Sequence, residues 1–157
     1  IIERMSAESE TEFEAAIESL DSRVLGDLKC FFQALDTYHA VVRIVDDVRE
    51  FSLDTKTISR ARDRIETTFI EEKESDSLVI ELVGILPGTK RFEMRFPGSP
   101  EIIKGMVGNV NVPQHLELNN RWRVKMRVRE VREPNKKPRF VYTLIGLLEK
   151  VPDLSAP

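Results

Sequence analysis

Cysteine is almost absent from this chain: Cys30 is the only one among 157 residues. A lone thiol excludes an intrachain disulfide framework and points to a reducing, cytoplasmic setting. Histidine, the commonest acid–base and metal residue, occurs only as His39 and His115. They lie far apart, and neither has a metal-ligand neighbour at helical or hairpin spacing. The chain also lacks a Walker-type phosphate loop, a GxGxxG, a GxSxG elbow, an HExxH and an EF-hand loop. No catalytic, cofactor-binding or metal-ligating residue is therefore expected, and the chain is not expected to be an enzyme. No apolar run approaches the roughly 18 residues of a membrane span; the longest lies near Leu144 to Leu148. No membrane partner is expected.

With 41% apolar and 32% charged residues, the composition excludes collagen-like, low-complexity and wholly disordered chains. A chain of this length can bury about 70% of its unfolded surface without metals or disulfides. The start, Ile1 to Ala7, has no basic stretch leading into an apolar core and is not expected to be a signal peptide. Met5, followed by Ser6 and Ala7, reads as a translation start, with Ile1 to Arg4 either vector-derived or the tail of a preceding segment. Residues 151–157 are expected to be a frayed tail.

Charge is unevenly distributed. Residues 1–77 hold 10 Lys/Arg and 19 Asp/Glu, a net of −9, whereas residues 78–157 hold 14 and 8, a net of +6. The segment from Arg121 to Arg139 alone carries nine basic residues against Glu130 and Glu133. An acidic half and a basic half suggest two modules. Either the two complement each other, or the basic face meets an acidic partner.

In the first half, Ser9 and Glu12 have capping-box spacing. Phe13, Ile17, Leu20, Val24, Leu28, Phe31 and Leu35 then follow at helical steps, which is a core-facing stripe. Asp21-Ser22 and Gly26 are candidate breaks, with Asp21 as cap of a second helix. Cys30, beside that stripe, is expected to be a buried and inert thiol. Residues 41–45 and 48–53 read as two strands joined through Asp46-Asp47. Asp54 is placed to cap a helix with Ile58, Ala61, Ile65 and Phe69 on one side. Asp27, Asp36, Asp46, Asp47 and Asp54 are assigned to caps and turns rather than to a metal. The polar run 71–77 is the expected linker between a domain at 5–70 and another at 78–150.

From Leu78 the period becomes two. Strands are expected near 78–86, 91–96, 102–107, 121–131 and from Phe140 onward, with turns at Pro87-Gly88, Pro97 to Pro100 and Glu133 to Pro138. Residues 109–120, including Pro113 and His115, read as a loop. A slip in alternation after Glu130 suggests a bulge. The expected class is α+β: N-terminal helices with a β-hairpin, then a five-stranded antiparallel small β-barrel. In strand count and length, residues 78–150 resemble the SH3-like class of small barrels, although no family motif accompanies the resemblance. An open sheet capped by the helices is the rival architecture.

One constellation stands out. Arg121, Arg123, Lys125, Arg127 and Arg129 occupy alternate positions, so an extended backbone puts them on one face at a repeat of about 6.6 Å. That repeat is similar to the phosphate spacing of a nucleic-acid strand. Lys136, Lys137 and Arg139 extend the patch around the hairpin. By parity Trp122, Phe140 and Tyr142 fall on the core side, so the patch lacks an aromatic stacking platform. The leading expectation is a non-catalytic interaction or regulatory module with a protein partner or a second copy. The alternative is a nucleic-acid-binding accessory protein that uses this basic face.

Overall fold

The computed structural model describes residues 1–111 and 116–152. The chain is α+β, with four α-helices, a two-stranded hairpin and a five-stranded mixed sheet among the described residues. The elements are α1 (Ile2–Ser6), α2 (Glu10–Glu18), α3 (Ser22–Thr37), β1 (Val42–Asp46), β2 (Arg49–Leu53), α4 (Thr55–Glu66), β3 (Phe69–Leu86), β4 (Arg91–Arg95), β5 (Ile103–Val107), β6 (Asn120–Arg132) and β7 (Arg139–Val151). It divides into two compact units: Ile1–Glu71 with Glu130–Arg139, and Glu72–Arg129 with Phe140–Pro157.

In the first unit, helix starts follow local hydrogen-bond chemistry. Ser9 accepts from the Glu12 amide at 3.3 Å, Asp21 from Val24 at 2.8 Å and Asp54 from Thr57 at 2.7 Å. Each side chain satisfies a donor that the first helical turn leaves unpaired. The break at Asp21 resets the helical register. Phe13, Ala16, Ile17 and Leu20 are buried before it; Leu25, Leu28 and Phe32 are buried after it. The expected continuation through Val24 is therefore corrected: Val24 is exposed. Cys30 is also exposed, on the solvent side of α3, rather than buried as expected. Ile58, Ala61 and Ile65 bury one face of α4, but Phe69 has left the helix, begins β3 and is 62% exposed. Arg60 and Arg64, one helical turn apart on α4, donate to the carbonyls of Ser6 and Ala7 at 2.9 Å. They satisfy acceptors that the end of α1 leaves open. The hairpin register pairs Val42 with Leu53 and Asp46 with Arg49, which leaves Asp47 and Val48 as the turn.

In the second unit, Ile80, Leu82, Phe92, Met94, Val124, Met126 and Leu144 form a core at period-two positions. The order of the large sheet is β3-β4-β5-β7-β6. Two expectations are corrected here. The sheet is mixed rather than antiparallel, because β5 and β7 run parallel, with Met106 opposite Thr143 and Val107 opposite Leu144. Residues 71–77 are strand rather than loop, part of the 18-residue β3, although the division between the two units falls in this run, after Glu71. Their polar side chains mimic a loop in composition while keeping the alternation of a strand. Pro97-Gly98 forms the expected turn. The Ser99 amide donates to the Phe96 carbonyl at 3.0 Å, and Gly98 takes φ +83°, as a type II turn requires of its third residue. His115 and Pro113, and the end of the expected tail from residue 153, lie outside the described residues; Val151 still belongs to β7.

Candidate functional site

The basic segment is a strand, as expected, and Val124 and Met126 point into the core. The alternation holds through Val128, which packs against the same core. After Met126 the next buried positions are Arg129 and Val131. Arg129 is nevertheless only 7% exposed, so it offers no charge to an open basic face. The expectation that Arg129 stands on the wet face is corrected, whereas Val131, where the slip was expected, is buried.

The remaining face is neutralised from β3. Glu72, Glu74 and Asp76 stand at alternate positions and therefore on one face of that strand. Arg127 pairs with Glu74 at 2.7 Å and Glu72 at 3.3 Å. Lys125 pairs with Asp76 at 2.9 Å and Glu74 at 3.6 Å. Arg123 reaches Glu149 of β7 at 3.0 Å and the Ser77 hydroxyl at 3.4 Å. Partner numbers rise on β3 as they fall on β6, which is the geometry of an antiparallel ladder of opposite charges. Hydrogen bonding from Arg127 is the main reason the Glu74 carboxyl is held below its usual range. Hydrogen bonding to Asp76, followed by its charge, raises the Lys125 ammonium. Arg121 acts on Glu81, whose pKa is lowered chiefly by its hydrogen bond with Arg95 and further by the charge of Arg121.

The hairpin cations lie in the first unit and are also engaged. Glu10, Glu14 and Glu133 bring carboxylate oxygens within 4.8 Å of one another. Such a donor set would suit a hard cation, but the Lys136 ammonium is already among them. It lies 2.8 Å from Glu14 and 3.0 Å from Glu133, and pairs with Glu10 as well. Burial pulls the Lys136 pKa down, but hydrogen bonds to the three carboxylates outweigh it, so the ammonium titrates above its ordinary range. Arg139 meets Glu133 at 2.6 Å and lies farther from Glu18 and Glu14. Lys137 is exposed and makes no ion pair among the described residues.

The eight sequence-selected cations are thus not one site. Arg123, Lys125 and Arg127 form a ladder with β3 and β7, Arg121 acts on Glu81, Arg129 is buried, Lys136 and Arg139 brace α2 against the β6–β7 hairpin within the first unit, and Lys137 stands exposed. Cross-strand pairs of this kind stabilise a sheet by about 0.2–1 kcal/mol each. They also leave little uncompensated charge to attract a polyanion. No family model, no curated protein and no solved structure matches the chain.

His39 follows the end of α3 with φ +49° and is exposed. Asp36, weighed as a possible ligand, accepts from Ser59 and pairs with Arg62. A cleft over Gly84 in the second unit was missed by sequence reasoning. The only signal for it was a glycine interrupting a strand, which marks a bulge or a close approach.

Proposed function

We propose that the chain is a non-catalytic interaction or regulatory module. The observation that carries this reading is the hairpin of β1 and β2. Among the described residues these strands form a sheet of their own with no third strand, so each has an open outer edge. Val41 and Val45 lie exposed on β1 and its approach, and Val48 is exposed in the turn. Unpaired edges beside exposed branched side chains are a template for strand addition by a partner or a second copy. An exposed Cys30 suits a reducing, cytoplasmic setting, where a free thiol persists.

We further infer that the five-stranded sheet works as a small barrel of the SH3-like kind. The order β3-β4-β5-β7-β6, together with the ion pairs between β3 and β6, supports closure of its two ends. The parallel contact of β5 with β7 departs from the antiparallel pattern of that class. The nucleic-acid alternative would require the β6 ladder to exchange its carboxylates for phosphates.

Sedimentation velocity over a concentration series tests the module reading. Association that disappears in Val45→Lys supports it. Turnover of a nuclease or phosphatase substrate by a metal-replete sample, lost on substitution of one acidic residue, overturns it.

A further inference from the structure

We propose that the cleft over Gly84 receives a segment of a partner protein in which a bulky apolar side chain is flanked by Asp or Glu. This rests on the interaction-module reading and assigns it a second, separate surface. The cleft follows from strand geometry. The register runs Leu82 opposite Met94 and then Gly84 opposite Glu93, so Val83 is bulged out of the pairing. Phe92 and Met94 point into the core, which turns Arg91 and Glu93 to the outer face. Gly84 puts no side chain on that face. A Cβ there would meet nothing nearer than Glu93 Oε2 at 3.9 Å.

The result is a hollow of about 400 Å³ above Gly84, walled by Leu86 and Leu118 and rimmed by Arg91 and Lys104. That volume lies in the range of ordinary ligand pockets. Leu86 and Leu118 are 58% and 43% exposed, so both walls are apolar surface left to water. Lys104 shares its charge with Glu93 at 3.5 Å, whereas Arg91 makes no ion pair among the described residues. The preceding Lys90 is exposed at φ +51°. Apolar walls would take an aliphatic or aromatic side chain, and the surplus positive charge selects acidic neighbours over basic ones.

The test uses the full chain and two fluorescein-labelled hexapeptides, DELFDE and KRLFKR, followed by anisotropy and by amide NMR shifts. The expected result is binding of DELFDE, with shifts at Gly84, Leu86, Arg91 and Leu118, and no binding of KRLFKR. Gly84→Leu fills the floor and abolishes binding, while Arg91→Glu weakens it by about tenfold or more. Arg91 is exposed, so that variant keeps the test decisive should Gly84→Leu fail to fold. The proposal is overturned by absence of DELFDE binding, by equal binding of KRLFKR, by insensitivity to Arg91→Glu, or by octanoate competing as an equal occupant. Shifts confined to the β1–β2 hairpin overturn the cleft while leaving the module reading in place. Enzymatic turnover would remove that reading without bearing on the cleft.

Discussion

Gly105→Ala is the most demanding test of the packing in the second unit. Gly105 of β5 sits opposite Phe92 of β4. A Cβ at position 105 would lie 2.5 Å from Cε1 and Cζ of Phe92 and 2.8 Å from the carbonyl oxygen of Tyr142. Ordinary carbon contacts are about 3.5–4.0 Å. The Phe92 ring is 1% exposed and part of the core, and the Tyr142 oxygen is backbone of β7, so neither can swing aside. Gly→Ala alone would stabilise by about 0.4–1 kcal/mol, through the lower entropy of the unfolded chain. Overpacking a core costs about 1–3 kcal/mol. The net expectation is destabilisation of about 1–2 kcal/mol, or a Tm lower by about 2–8 °C. Gly84→Ala is the matched control: its Cβ meets only Glu93, at an ordinary contact distance of 3.9 Å, so only the entropic gain remains. Urea unfolding followed by Trp122 fluorescence reports on the same unit. Phe92→Leu should reduce the penalty of Gly105→Ala in a double-mutant cycle. A Gly105→Ala protein as stable as wild type, or one indifferent to Phe92→Leu, would refute the close approach.

Lys136→Ala leaves Glu10, Glu14 and Glu133 facing one another without their ammonium, with the Glu133 side chain only 9% exposed. A loss of about 1 kcal/mol at pH 7, shrinking as the solution is acidified, is expected in urea unfolding. The folded-state pKa values of Glu10, Glu74 and Glu81 are lowered. Such groups stabilise above the unfolded value of about 4.3, and this stability is lost as pH falls through the depressed folded values. Thermal unfolding across that window should steepen its decline below about pH 4, and Glu74→Gln should flatten part of it. An unbound face engaging about five phosphates would give a log–log salt slope near −3.5 to −4.5. With its charges held by β3, the protein should give a markedly shallower slope in a gel-shift titration. Asp76→Asn with Glu74→Gln should raise any affinity, and a steep slope in the wild type would contradict the ladder.

What was legible in the sequence was local. Ser9, Asp21 and Asp54 announced helix starts because a cap needs only one oxygen and amides two or three residues away. The β1–β2 hairpin, the Pro97-Gly98 turn and the period-two core of the second unit were legible for the same reason: each depends on near neighbours. The run 71–77 marks the division between the units but has the composition of a loop, whereas its conformation is strand. Its signal lay in the alternation of Glu72, Glu74 and Asp76, which matches that of Arg123, Lys125 and Arg127 one strand away.

Sequence alone therefore determined the α+β class, the helix caps, most strand positions and the presence of five alternating cations. Tertiary structure decided the rest. It set the parallel contact of β5 with β7, the burial of Arg129, the pairing of the β6 cations with β3 and the hollow over Gly84. The physical reason is range. Dihedral preferences and caps act over a few residues, whereas an ion pair or a cleft depends on which distant segment arrives beside it, and identical side chains attract a polyanion or repel it according to that neighbour.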